Sequence, residues 1–311
     1  MLGLMQQRPL LLSGLIDHAA AYHGSREIVS HMVDGSTHRS NWSEVRGRAM
    51  RVANALTSLG VQAGDRVATL AWNTHRHLEM YFGVSGMGAV LHTVNPRLFP
   101  EQIAWIANDA QDSVLCFDLN FLPLIEKLSA QLPTIKHYIL MCGRSHMPAE
   151  TSIPNLLCYE ELVEAEDGDY AWPQFDENTA SSICYTSGTT GHPKGAVYSH
   201  RSSLLHAFAS AMPDAMDCSA KDVILPVVPM FHVNAWGLPY GAAMSGAPLG
   251  SPRPPPPRPS AAREAWWALP GPRPSARPSA HTPGCPLSCQ YPKFCITSVS
   301  DTGGVPAGAP T

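Results

Sequence analysis

The chain has no Cys-x-x-Cys pair and no His-Glu-x-x-His, although it holds eight cysteines and fourteen histidines. Zinc sites of the usual spacings are thereby excluded, and neither His75/His77 nor His18/His23 has the i, i+4 separation that sets two imidazoles on one helical face. Cysteines scattered as Cys116, Cys142, Cys158, Cys184, Cys218, Cys285, Cys289 and Cys295 form no disulfide framework, which fits a reducing, cytoplasmic compartment. No stretch reaches the roughly 18 apolar residues of a membrane span. Residues 1–249 contain neither a basic run nor aromatic and basic residues interleaved, and the net charge is −4. Nucleic acid is therefore not the expected partner.

What is present begins with a deceptive N-terminus. Arg8, the apolar run from Pro9 to Ile16 and Ala19-Ala20-Ala21 imitate a secretion signal, but Asp17-His18 interrupts the run. Leu12, Leu15, Ile16, Ala19 and Ala20 recur at helical spacing, so this reads as an amphipathic opening helix. Asn41-Trp42-Ser43 matches a glycosylation acceptor, which has no meaning in a cytoplasmic chain.

From Ser43 to Leu59 the apolar positions Val45, Ala49, Val52, Ala53, Leu56 and Leu59 keep a 3.6-residue period, and Gly60 closes the helix. Strands are expected at 66–72, 89–94, 113–117 and 135–141, with helices at 76–87, 101–109 behind Pro100, and 121–131. Alternation of this kind implies an α/β fold, a parallel sheet with helices on its faces. Residues 143–155 and 164–180 are polar connectors. A helix over 202–211 and a strand over 223–228 follow.

Two segments carry chemistry. The first runs from Cys184 to His200, where short strands at 181–185 and 196–199 enclose Thr186-Ser187-Gly188-Thr189-Thr190-Gly191-His192-Pro193-Lys194-Gly195. Glycines let backbone N–H groups approach phosphate oxygens, hydroxyls donate further hydrogen bonds, and Lys194 adds a full positive charge. Gly188 and Gly191 are only two residues apart, so this is not the P-loop of Walker-type NTPases. The second is Pro229-Met230-Phe231-His232-Val233-Asn234-Ala235-Trp236-Gly237, running into an apolar helix towards Ser245. On its residues alone it is equally a buried strand-to-helix junction with Phe231 and Trp236 as core.

The Thr-Ser-Gly-Thr-Thr-Gly-x-Pro-Lys-Gly run resembles the phosphate loop of the adenylate-forming, AMP-binding superfamily. Met-Phe-His-Val-Asn-Ala-Trp-Gly, Asn-Pro-Arg-Leu at 95–98, Pro-Val-Val-Pro at 226–229 and Tyr-Ser-His-Arg-Ser at 198–202 are similar to medium- and long-chain fatty-acid CoA ligases within it. The resemblance covers residues 1–249 and implies the large N-terminal domain of the adenylate-forming fold, incomplete, with mainly parallel sheets flanked by helices. It implies acid-thiol ligation: a fatty acid carboxylate attacks the α-phosphate of ATP to give acyl-adenylate and pyrophosphate, and the thiol of CoA then displaces AMP. Carried over, Thr186, Ser187, Gly188, Thr189, Thr190, Gly191 and Lys194 would cradle the triphosphate, with Thr186 near Mg²⁺. Lys194 and His232 would be catalytic, His232 bordering the carboxylate, and Trp236 would gate the acyl tunnel. Some members of the family form homodimers through this portion.

Beyond Leu249 the resemblance stops. Residues 250–311 hold 15 of the 29 prolines, and their charge reverses to 6 Lys/Arg against 2 Asp/Glu. The segment reads as disordered or polyproline-like. Its GC-rich-codon composition and abrupt start suggest an out-of-frame end. The family's Tyr-Gly-x-Thr-Glu and Thr-Gly-Asp segments and its C-terminal lysine domain are not in this sequence, so the 311-residue chain is expected to be truncated and inactive as a ligase. Two alternatives are a non-enzymatic fragment, binding nucleotide or acyl chains or engaging partners through Pro-x-x-Pro steps, and an aryl-acid CoA ligase.

Overall fold

A computed structural model describes residues 3–5, 7–186 and 192–251. The expected disordered tail after Ser251 and five residues of the glycine-rich loop, Ser187 to Gly191, lie outside the described residues.

The chain opens with α1 (Ser13–His23), which buries Leu15, Ile16 and Ala19. A hairpin follows, β1 (Glu27–His31) with β2 (Thr37–Asn41), and the last strand among the described residues, β10 (Leu249–Ser251), joins β1 in parallel. The helix expected from period is α2 (Trp42–Ser58). Its first turn is capped reciprocally, Asn41 accepting from the Glu44 amide at 3.0 Å and donating to the Glu44 carboxylate at 2.8 Å. The apparent glycosylation acceptor is thus a helix cap. At the other end Gly60, at φ +84°, and Val61 donate their amides to the Thr57 and Leu56 carbonyls, the glycine-terminated closure expected of this position.

Seven strands make the main sheet: β3 (Arg66–Leu70), β4 (Val90–Thr93), β5 (Val114–Phe117), β6 (His137–Leu140), β7 (Leu156–Cys158), β8 (Ala180–Thr186) and β9 (Lys194–Ser199). Their spatial order is β7-β6-β5-β3-β4-β8-β9, every pair parallel except β8 with β9. Side chains alternate between two cores. Val67, Leu91, Val114, Cys116 and Ile139 face one, with α3 (His75–Gly86), α6 (Tyr159–Glu164) and much of α2. Ala68, Leu70, Leu115, Phe117 and Leu140 face the other, with α4 (Pro100–Asp109) and α5 (Leu122–Leu128).

This placement follows from direction. The step β3 to β4 runs one way along the sheet and puts α3 on the first face; the step from β4 back past β3 to β5 runs the other way and puts α4 on the second. A crevice therefore opens between the carboxyl ends of β3 and β4, where connections leave to opposite faces.

After β9 come α7 (His200–Ser210) and α8 (Leu238–Ser245), both packed into the first core. The strand expected over 223–228 does not form. Its residues alternate as a strand should, with Ile224 buried and Val223, Leu225 and Val227 exposed, but Ile224 makes a single bridge, to Leu249. Alternation predicts which side chains turn inward; a strand also needs a neighbour along its length, and among the described residues one is found only at Leu249. Among the described residues no helix is long and apolar enough to cross a membrane.

Candidate functional site

β8 and β9 form an antiparallel hairpin whose register pairs Tyr185 with Gly195 and Thr186 with Lys194. Both Thr186 and Lys194 are exposed at its open end. The Thr186 hydroxyl donates only weakly, to the Lys194 carbonyl at 3.4 Å. A Cβ at Gly195 would lie 2.7 Å from Ile183 Cδ1, so a larger residue there would have to displace that side-chain tip. The hairpin thus presents the lysine and the threonine side by side, on strands that the loop sequence itself connects.

The second segment crosses the carboxyl ends of β3, β4 and β8. Asn73, just beyond β3 and 5% exposed, accepts from the Met230 amide at 2.6 Å and donates to the carbonyls of Pro226 at 3.0 Å and Val228 at 3.2 Å. Asn234, also buried, donates to Ser182 Oγ at 2.8 Å and accepts from Cys184 Sγ at 3.1 Å and Thr93 Oγ1 at 3.3 Å. Burial pushes the Cys184 thiol up, which keeps it a neutral donor. Tyr81, whose hydroxyl lies nearest the Met230 carbonyl, completes the anchorage. Two amides therefore bind this segment into the β3–β4 crevice and onto β8, the strand that leads into the glycine-rich loop.

The backbone between the anchors is strained. Val233, Asn234, Ala235 and Trp236 have φ values of 47, 49, 49 and 56°, and Gly237 follows at 70°. Left-handed backbone costs about 1–2 kcal/mol per non-glycine residue, least for asparagine, so the run persists only because its contacts outweigh that cost. Glycine suits position 237 on two counts, its φ of 70° and the His206 ring 2.6 Å from where a Cβ would sit, a ring whose Nε2 lies 2.9 Å from the Trp236 carbonyl.

Of the residues expected to act, Thr186 and Lys194 come together at the hairpin, whereas His232 is exposed and Trp236 half-buried on the strained segment. Phe231 is core, packed edge-on against Trp72 with ring centroids 5.7 Å apart. Asn73, Thr93 and Asn234 had no assigned role in the sequence, because their partners lie far along the chain. The five described cysteines are all free and buried.

A cavity of about 560 Å³ opens elsewhere, between β2, α2, α3 and α6, lined by His38, Arg48, His75, Arg76 and Glu160 among others. Its arginines and Glu160 are already paired with one another, so it is a gap beside an ion-pair network and not part of the hairpin site. Among the described residues no group of three or more His, Cys, Asp or Glu side chains converges as a metal site. A Mg²⁺ ion at the hairpin would rest on phosphate oxygens and the Thr186 hydroxyl, the mixed ligation this ion accepts.

Comparison with known proteins bears on both segments. The family model described as AMP-binding enzyme matches residues 16–269. A 3-methylmercaptopropionyl-CoA ligase of Ruegeria lacuscaerulensis is 59% identical over 254 residues, 82% of this chain and 47% of that protein. A medium-chain-fatty-acid–CoA ligase of Ectopseudomonas oleovorans is 53% identical over 254 residues, 82% of this chain and 46% of that protein. The chain thus spans about half the length of the curated relatives it matches. In fold it is similar to an anthranilate CoA ligase solved with anthranoyl-AMP, with a TM-score of 0.69 and 23% identity over 78% of this chain and 45% of that one. Matched across its hairpin and its strained segment alike, this chain belongs to the AMP-binding enzyme family, the adenylate-forming ligases that include the acyl-CoA synthetases.

Proposed function

We propose that this chain supplies the phosphate-gripping and acyl-lining half of an ATP-dependent CoA ligase for an unbranched carboxylic acid. The observation that carries the reading is the joining of the two segments: Asn234 binds the 229–237 segment to Ser182 and Cys184 of the strand that leads into the loop.

A carboxylate is a weak electrophile; attack of its oxygen on the α-phosphate of ATP would release pyrophosphate and leave the activated acyl-adenylate, a step that is mostly a matter of positioning and of stabilising phosphate charge. Lys194, with Thr186, Ser187, Gly188, Thr189, Thr190 and Gly191, would hold the triphosphate. Bound Mg²⁺ would neutralise phosphate charge. His232 would border the carboxylate, and Trp236 would close the wall along the acyl chain. The CoA thiol would then take the acyl group as thioester, displacing AMP. The two relatives act, by name, on a medium-chain fatty acid and on 3-methylmercaptopropionate. Both are linear acids, one with a thioether sulfur in place of a methylene, and the reading adopts that shared shape with the fatty acid as the first substrate to try.

The segments that would hold adenine and ribose are not in this sequence, so the 311-residue chain should release no pyrophosphate when given ATP and a fatty acid. A chimera in which residues 1–249 replace the matching part of the Ectopseudomonas oleovorans ligase should form medium-chain acyl-CoA and lose about 100-fold or more of its adenylation rate on Lys194→Ala. A folded chimera that releases no pyrophosphate with any linear acid sinks the assignment. Pyrophosphate release by the 311-residue chain alone sinks the expectation of inactivity.

A further inference from the structure

Among the described residues β9 is the outermost strand of its sheet, with β8 as its only neighbour, and Val197 on it is 61% exposed. Strand pairing fixes such a hairpin from one side only, and the end that carries Thr186 and Lys194 projects beyond the sheet. Something else must set where those two side chains stand.

The side chains that do this come from α4 and the turn that follows it. Trp105 of α4 stacks flat on His192, with centroids 4.5 Å apart and planes 8° from parallel, and meets the Tyr185 ring edge-on at 6.3 Å. Four residues on, Asp109 accepts from the Tyr185 hydroxyl at 2.6 Å. Three further, Asp112 holds His92 Nδ1 at 2.7 Å, both groups fully buried, and the His92 ring lies 5.1 Å from that of Tyr185. The spacing of four places Trp105 and Asp109 on one face of α4, and Asp112 follows just beyond the helix end. That face touches the hairpin on both sides of the loop, at the residue before Thr186 and at the residue two before Lys194.

We propose that this face of α4 is the seat of the phosphate hairpin, and that Trp105 and Asp109 are positioning residues that set the spacing of Lys194 and Thr186 for a triphosphate. Trp105 acts through His192 and Asp109 through Tyr185; neither touches the nucleotide. The triphosphate as ligand rests on the function proposed above, whereas the seat itself does not.

The test separates the two. In the 311-residue chain, amide hydrogen exchange across residues 183–186 and 194–197 should rise roughly three- to tenfold in Trp105→Ala and in His192→Ala, the worth of one aromatic stack. The double variant should exchange no faster than either single one, Trp105→Phe should restore the native rate, and exchange in β3 to β6 should stay unchanged. His192 is exposed, so its removal does not threaten folding. In the chimera, Trp105→Ala and Tyr185→Phe should raise KM for ATP by a similar factor and leave KM for CoA unchanged. Native exchange rates in His192→Ala, or effects of the two single variants that simply add, overturn the proposal. An inactive chimera with accelerated exchange in His192→Ala removes the ligase assignment and leaves the seat standing.

Discussion

The interior of the sheet and the segment from Ile224 to Trp236 sit side by side at the carboxyl edge of β3 and β4, yet they are held by opposite means. Strands β3 to β6 keep almost every side chain buried, between two cores, with hydrogen-bonded neighbours on both sides. The segment has one strand bridge, four consecutive left-handed residues, and two buried asparagines as its chief anchors. Packing distributes stability over many small contacts, so its loss is felt by the whole domain. A few polar anchors concentrate it, so their loss is felt locally. The residues proposed to line the acyl chain thus belong to the part of the molecule that can shift without the sheet melting.

The body of the fold is not wholly apolar, and its one dense polar element offers the sharpest way to break the comparison. Behind the first core, Arg48 of α2 pairs with Glu79 of α3 at 2.7 Å and with Glu160 of α6 at 2.8 Å, and Arg76 pairs with Glu160 at 2.6 Å. Glu79 is 1% exposed and also accepts from the Tyr159 hydroxyl. Arg48→Met leaves that carboxylate buried with no cation against it, which should cost about 3–5 kcal/mol in urea unfolding, while Arg48→Met with Glu79→Gln should recover much of the loss. A single-variant cost below about 1 kcal/mol would mean that packing carries the body alone.

Asp118, at the end of β5, tests the rim where the sheet hands over to the segment. It accepts from the Trp72 amide at 2.7 Å, next to Asn73, and burial raises its carboxyl to about 7. Its ordinary value is near 4, so between pH 4 and 7 the folded protein keeps a proton that the unfolded chain has lost. Stability from this group therefore falls as pH rises through that window and levels off above 7, at up to about 1.4 kcal/mol per pH unit. His77 and His200, both lowered to about 4 by burial, act in the other sense, their contribution being lost as pH falls from the usual histidine range towards 4. They are common to both proteins when Asp118→Asn is compared with the parent. Unfolding at pH 5 and pH 7 should show the parent losing about 2 kcal/mol relative to Asp118→Asn, and parallel pH profiles would show that Asp118 is ionised in the fold.

How far each region could be read beforehand follows the same division. α2 was legible because one face of it is wet, and its apolar period shows. The helix α3 has almost no wet face, and only its apolar content and flanking strands marked it. The hairpin strand Thr37–Asn41 was invisible, since it is polar throughout and buries no residue fully, and the six residues of α6 are too few to display a period. The glycine-rich loop announced itself, because the phosphate grip proposed for it is built from neighbours in sequence. Its surroundings did not: Asn73 meets Met230 across 157 positions and Asn234 meets Ser182 across 52, and no local pattern records such meetings. The strand expected at 223–228 shows the converse, a correct local pattern with too little neighbouring strand to pair it.

Asn234 gives the gentlest and most discriminating test of the comparison. Its amide joins the segment to β8 and, through Thr93, to β4, and asparagine is among the residues that best tolerate the left-handed backbone it occupies. Asn234→Ala removes both contributions and leaves the Ser182 hydroxyl without its donor. The expected loss is about 1–3 kcal/mol. Because that loss falls on the anchor and not on the core, it should appear as faster amide exchange from 229 to 237 with little change in the global unfolding midpoint. Asn234→Asp, which keeps the shape and the acceptor but not the donor to Ser182, should fall between. If Asn234→Ala instead lowers the global midpoint as a core truncation does, the segment is part of the cooperative body, and the proposed acyl wall is as rigid as the sheet beneath it.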